Sequence, residues 1–428
     1  MAGVACAALM TPSLPAQAPA NSAPPDTTAF QASDAVSAFY ASRNGAPLWF
    51  KSGADSSAAH ELIGILQRAA LDGMPTGPML AQQAQALLVR AGTGDPAALA
   101  AADRLLSAAW IEYVQALQMP PVGMTYADNW VVPRRDSAAT ILGRAAAAPS
   151  LPAYVRSVSQ VNPIYAELRD AAWATAQANG GRLDPRVLAS LDRARDVPPR
   201  GRFVMVDTAG ARLYMIDDGR IVDSMKVIVG RNDPATQTPM LASTIYYATL
   251  NPYWHVSADM VRDLIAPNVL NMGLSYLKTR GYQVMPADPT DDTLLDPAKI
   301  NWHAVAAGRE TVRVRQLPGP ANSMGRLKIP FPNATDIYLH DTPTKALFNQ
   351  DDRSLSHGCI RLEDAERLGR WLMGREPETA SREPEQNVLL PNPVPIYVTY
   401  LTAHVENGQL AYVDDNYHRD DQTMAALR

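Results

Sequence analysis

The hydrophobic pattern changes period once along this chain, at Arg202, and that change limits what each half can fold into. Before it, from Phe30 to Pro199, apolar side chains recur at the spacing of amphipathic helices. Leu62, Ile63, Ile65, Leu66, Ala69 and Ala70 form one such stripe, and Gly73 is placed to end it. Asp95-Pro96, Asn162-Pro163 and Asp184-Pro185 each join a capping side chain to a proline that suits the first helical turn, with Asn179-Gly180 as a stop. Residues 30–199 are expected to be a helical scaffold domain. Its scattered Trp and Tyr read as core rather than as a glycan platform, and His60 as a lone polar-face histidine.

After Arg202 the pattern alternates. Phe203 to Asp207, Arg212 to Ile216 and Ile221 to Val229 read as strands, the last two joined by an Asp217-Asp218-Gly219 hairpin turn. Further strands are expected at Leu241 to Leu250, Val312 to Gln316, Asp336 to His340 and Ile396 to Val405, and a helix at Asp364 to Met373. The fold class is multidomain α + β, with residues 200–428 a mainly β, sandwich-like domain. Residues 257–311 break the strand pattern with two short helical runs and an acidic, turn-rich stretch. An insert of that length inside a compact domain is more often a functional lid than an idle loop. Asp288, Asp291, Asp292 and Asp296 do not follow the spacing of a calcium loop and read as a solvated surface.

With 428 residues and a net charge of −5, the chain has room for more than one core and lacks the basic stripe of a nucleic-acid binder. No run approaches the roughly 18 apolar residues of a membrane span. Residues 1–29 read as a leader ending near Ala16-Gln17-Ala18, followed by an Ala/Pro-rich tail, so export is expected. Cys6 falls inside that leader, which leaves Cys359 as one thiol in the mature chain. An unpaired exported thiol is inert, paired between chains, or kept for reactivity. His357 and Gly358 beside it favour reactivity, and a helical run from Glu363 is expected to bring a positive helix end near the sulfur.

Tyr338-Leu339-His340-Asp341-Thr342-Pro343, the spacer, and Ser356-His357-Gly358-Cys359-Ile360-Arg361-Leu362 together resemble the catalytic signature of the bacterial L,D-transpeptidases. The segments Arg315 to Gly325, Val229-Gly230 with Thr238-Pro239, Asn251 to Trp254, and Phe39 to Arg43 with Pro47 to Trp49 resemble the large, lid-bearing periplasmic branch of that family. No copy of the branch's helical peptidoglycan-binding module is recognisable between Gly123 and Asp184. The resemblance implies a β-sandwich catalytic domain, a capping subdomain at 257–311, and stem peptides of peptidoglycan as donor and acceptor. Other cell-wall synthesis proteins are possible partners, and no cofactor or metal is expected.

The expected catalytic residues are Cys359 as nucleophile, His340 as its base, and His357 in support or as a hydrogen-bonded structural residue. Either Asp341 or a main-chain carbonyl orients the base. Gly358, Tyr338, Ser356, Arg361 and Trp254 complete the expected oxyanion and substrate-binding set, with the N–H groups of Gly358 and Cys359 as donors and the Tyr338 hydroxyl as a third. Arg361 meets a substrate carboxylate, braces its loop, or forms a surface ion pair. The expected reaction is acyl transfer from a tetrapeptide stem to a diaminopimelate amine, with release of D-alanine. Water as acceptor would make a carboxypeptidase, and a lipoprotein lysine an anchoring enzyme. Carbapenem acylation of Cys359 follows from the same resemblance. A non-catalytic wall-binding module is the reading from another class.

Overall fold

A computed structural model describes residues 28–51, 53, 55–378, 381 and 383–427. The leader, with Cys6 and Ala16 to Ala18, lies outside the described residues. Helices Thr28–Ser42, Ser57–Arg68, Gly77–Gly92, Pro96–Leu117, Ala138–Ala147 and Leu151–Gln160 make an N-terminal bundle. The expected caps form: Asp95 accepts from the Ala97 and Ala98 amides, Asn162 from Tyr165, and Asp184 from Arg186. Each satisfies amides that a helix start leaves unpaired. Trp49, Leu62, Leu66, Trp110 and Tyr113 are buried in this bundle, and the rings of Trp49 and Trp110 meet edge to face at 6.3 Å. These aromatic residues are core. Buried Asp103 fastens the loop before the second helix by accepting from the Leu48 and Trp49 amides at 3.0 and 2.8 Å.

Helices Pro163–Ala178 and Pro185–Ala194 turn the other way. Leu168, Ala172, Val187 and Leu191 pack against Phe203, Met205, Ile216 and Tyr397 of the β domain. By packing, therefore, the helical half is shared between two cores rather than ending as one unit at residue 199. Buried Asp72 joins the two: its carboxylate accepts from Tyr113 of the bundle and Tyr165 of the later helices, at 3.1 and 2.6 Å.

The main sheet runs Thr125–Tyr126, Leu241–Leu250, Gln386–Thr399, Arg202–Asp207, Arg212–Asp217, Arg220–Gly230, Ile360–Leu362, Tyr338–His340 and Leu327–Pro330. Thr249 and Leu250 then pair with Lys328 and Leu327, so the sandwich-like sheet closes on itself as a barrel. Closure removes two free edges. Asp218 and Gly219 both have positive φ, the geometry of a tight hairpin between twisted strands. The interior holds Val204, Leu213, Val227, Ile245, Leu339, Ile360 and Ile396, closed at one side by Leu368 and Leu372 of helix Ala365–Met373.

The insert has a core of its own. Strands Trp254–Val256, Arg313–Gln316 and Tyr282–Met285 form a small antiparallel sheet, with Gly281 ending the helix before the last of them in the left-handed conformation. Val261, Ile265, Val269, Tyr276, Trp302 and Val314 fill the space beneath. Arg313–Gln316, expected in the main sheet, thus pairs within the cap. The four acidic residues are exposed: Asp288, Asp291 and Asp296 accept from amides two residues ahead, and Asp292 pairs with Arg313.

Candidate active site

Two short parallel strands place the side chains expected to react. Leu339 pairs with Ile360 and His340 with Arg361. Because neighbouring strand residues point to opposite faces, Leu339 and Ile360 enter the barrel core while Tyr338, His340 and Arg361 face outward. The cap covers that outer face. A cleft of about 480 Å³ results, lined by Cys359, His340, His357, Tyr338, Ser356, Arg361 and Trp254, with Ser257, Asp259 and Met260 from the cap. Every expected site residue except Gly358 lines it.

The Cys359 turn is held from several directions. Gly358 sits at φ +109°, and a Cβ there would come within 2.9 Å of Ile337 Cδ1. Ser356 Oγ donates to the Cys359 carbonyl at 2.6 Å and accepts from the Gly358 N–H at 3.1 Å. Gly358's N–H is therefore already engaged in closing the turn, which removes one of the two amides expected to receive an oxyanion. On the other side Thr238 Oγ1 donates to the Gly358 carbonyl at 2.7 Å.

His340 Nδ1 lies 2.6 Å from the Asp341 carbonyl, to which it donates, leaving Nε2 as the ring's acceptor. Of the two orienting groups open to the sequence, the main chain does this work. The Asp341 carboxylate is turned elsewhere, accepting from Lys345 Nζ at 2.7 Å and the Arg326 amide at 2.9 Å. Burial, and next the Arg361 guanidinium, push His340 down to about 3 against the pull of the Asp341 carbonyl. Burial pushes the Cys359 thiol up, opposed by donors from the Tyr338 main chain and hydroxyl. The resting pair is thus a thiol and a neutral imidazole.

The expected helix end near the sulfur is absent. Strand Ile360–Leu362 intervenes before helix Ala365–Met373, whose first turn is capped by Asp364. A strand of three residues is too short to show a period, so nothing in the sequence marked it between Cys359 and the helical run expected from Glu363. His357 is exposed, and its Nε2 accepts from Arg231 Nη2 at 2.7 Å; partial burial and then Arg231 hold it below the usual imidazole range. The Arg361 side chain makes no ion pair or hydrogen bond among the described residues, so the surface-pair reading falls. Sequence reasoning missed Arg231 and Lys328, whose ammonium lies 4.3 Å from the Tyr338 ring centroid. Lys328 is the register partner of His340 on strand Leu327–Pro330, a four-residue strand the sequence left unassigned.

Residues 201–396 match the family model of the L,D-transpeptidase catalytic domain, and residues 34–171 that of the Scaffold domain. The chain thus carries an L,D-transpeptidase catalytic domain behind a Scaffold domain. A Haemophilus influenzae protein named "Putative L,D-transpeptidase" is 25% identical over 407 residues, covering 90% of this chain and 78% of its own. Among solved structures, an L,D-transpeptidase from Mycobacterium smegmatis matches at 16% identity and a TM-score of 0.23, over 47% of this chain and 59% of its own. One from Xylanimonas cellulosilytica matches at 15% and 0.22, over 54% and 79%. At those TM-scores the structural likeness carries no detail of the site. L,D-transpeptidases are cell-wall enzymes that act on peptidoglycan stem peptides. Among the described residues no helix is long and apolar enough to cross a membrane.

Proposed function

We propose that this L,D-transpeptidase forms cross-links between diaminopimelate residues through a Cys359 acyl-enzyme, in the periplasm. The observation that carries the reading is the buried His340, its Nδ1 fixed by the Asp341 carbonyl, in one cleft with Cys359. The sulfur attacks the carbonyl between the L-centre of diaminopimelate and D-alanine, and its proton passes to His340 Nε2. His340 returns that proton to the departing D-alanine amine, leaving a thioester. An acceptor amine then attacks the thioester carbonyl; its proton goes to His340 and on to the released sulfur.

The Cys359 N–H and the Tyr338 hydroxyl are the proposed oxyanion donors, since Ser356 occupies the Gly358 N–H. Arg361, whose side chain has no ion pair or hydrogen bond among the described residues, is proposed to bind a stem-peptide carboxylate, and Trp254 to wall the cleft. His357, tied to Arg231, is assigned a positioning role. The cap limits entry of water, which would otherwise divert the acyl-enzyme to hydrolysis. A carbapenem carbonyl would occupy the donor position and acylate Cys359.

Intact mass of the protein and of Cys359→Ala, after incubation with a diaminopimelate-containing tetrapeptide, tests the reading. A cysteine-dependent adduct with dimeric product is expected. Released tripeptide alone would assign carboxypeptidase action, a lysine-linked product with a lipoprotein peptide would assign anchoring, and no adduct on folded protein would leave a wall-binding module.

A further inference from the structure

The chain beyond the matched catalytic domain returns to the nucleophile. The match ends at residue 396, yet residues 415–427 fold back across the loop between Gly230 and Thr238. Tyr417 donates its hydroxyl to the Gly230 carbonyl, and Arg419 Nη2 donates to the Thr238 carbonyl at 2.9 Å. Both partners bear on the Cys359 turn. The Gly230 amide donates to Thr238 Oγ1 at 2.9 Å, the same hydroxyl donates to the Gly358 carbonyl, and Gly230 is the register partner of Ser356. One step therefore separates Tyr417 and Arg419 from the residues flanking the sulfur.

This segment is itself anchored firmly. The Tyr417 ring stacks on Tyr400 at 5.3 Å and 14°, and its amide donates to the Tyr400 hydroxyl at 2.9 Å. The Arg419 guanidinium lies within 5.2 Å of both ring centroids. Beyond it Asp420 accepts from Arg193 at 2.6 Å and from Thr402 at 2.6 Å, both buried. Arg193 belongs to helix Pro185–Ala194, so the segment bears on the β domain's helical layer as well as on the catalytic loop. Two donors from one anchored segment fix carbonyls at both ends of a loop whose hydroxyl grips Gly358.

We propose that residues 415–427 are a strap that positions the Cys359 turn, with Tyr417 and Arg419 as its positioning residues; the proposal rests on Cys359 being the nucleophile. Displacing a reacting atom by an ångström costs up to about a hundredfold in rate, so loss of one strap bond should cost about tenfold. Tyr417→Phe removes the hydroxyl and keeps the ring stack. Arg419→Gln removes the charge, and Arg419→Lys retains a donor.

The readouts are the rate of Cys359 acylation by the tetrapeptide, the pH midpoint of Cys359 alkylation by iodoacetamide, and the melting temperature. Tyr40→Phe is the control. It removes a buried hydroxyl bonded to Ser107 and the Asp103 carbonyl in the distant bundle. Tyr417→Phe and Arg419→Gln are expected to slow acylation about tenfold and move the alkylation midpoint, Arg419→Lys to recover part of the rate, and Tyr40→Phe to lower only the melting temperature. Wild-type rate and midpoint in both strap variants would overturn the strap, as would an equal rate loss in Tyr40→Phe. A wild-type protein that alkylates at Cys359 but never acylates would overturn the proposed function instead, with the strap still judged by the midpoint.

Discussion

Lowering the pH from 8 to 5 is expected to remove about 2 kcal/mol of stability from the β domain through His340 alone. The side chain is 3% exposed, and its folded value is pushed down to about 3, chiefly by burial and then by Arg361. In the unfolded chain an imidazole takes its proton near 6.5. Below that value the unfolded chain binds a proton that the folded one refuses. Stability is complete above pH 6.5 and falls as pH drops, by about 1.4 kcal/mol per unit, until the folded ring protonates near 3. Between 6.5 and 5 that amounts to about 2 kcal/mol. Carboxylates titrate over part of the same range, so the measurement is a difference between wild type and His340→Asn, whose amide can still donate to the Asp341 carbonyl. Urea unfolding read by exchange labelling of peptides from residues 202–230 reports the β domain separately from the bundle. The variant should gain about 2 kcal/mol relative to wild type on acidification. A difference equal at pH 8 and pH 5 would mean that His340 titrates near its ordinary value, and the thiol-and-neutral-imidazole resting state would be wrong.

Gly358→Ala forces a side chain into φ +109° and against Ile337. A strain of about 1–3 kcal/mol and at least a tenfold loss of acylation rate are expected, measured by melting and by intact mass over time. Asp103→Ala strands the buried amides of Leu48 and Trp49. It should destabilise the bundle by about 3 kcal/mol in urea while leaving the alkylation rate of Cys359 unchanged, because its effect stays in the N-terminal core.

Local chemistry was the part of the fold written most openly in the sequence. The Asp-Pro and Asn-Pro caps and the Asp218-Gly219 turn depend on residues adjacent in the chain, and all formed where expected. That the expected site residues share one cleft was legible for a related reason. Tyr338 and His340 share a strand face by simple alternation, and Ser356 to Arg361 is continuous. Closure of the barrel was hidden, because it rests on pairing Thr249 with Lys328, and no local pattern encodes a partner so far away. Of the cap strands, Arg313–Gln316 was legible as a strand but not its partners, while Trp254–Val256 and Tyr282–Met285, at three and four residues, were too short for alternation to register. The direction in which helices Pro163–Ala178 and Pro185–Ala194 turn their apolar faces was hidden too, since periodicity gives a stripe and not its target. At Asp341 strand alternation left a carboxylate and a main-chain carbonyl both open, and the group that orients His340 is the carbonyl every residue carries.

The cap core and the surroundings of Cys359 share one residue, and under the proposed function that sharing would tie access to reactivity. Tyr338 packs on the cap core while its main chain and hydroxyl act as donors toward Cys359. Burial is the leading cause of both the raised thiol and the depressed imidazole. A movement of the cap that hydrates the cleft would relax both toward their ordinary values at once, narrowing the gap between them and favouring transfer of the thiol proton to His340. Under the proposed mechanism closure would do the reverse, holding the proton on sulfur until a donor carbonyl stands in reach and the Cys359 amide and Tyr338 hydroxyl can receive the developing oxyanion. The same cover that keeps water from a thioester would then also keep the free enzyme from holding an exposed thiolate, so one packed layer serves both the chemical step and the protection of the unpaired cysteine.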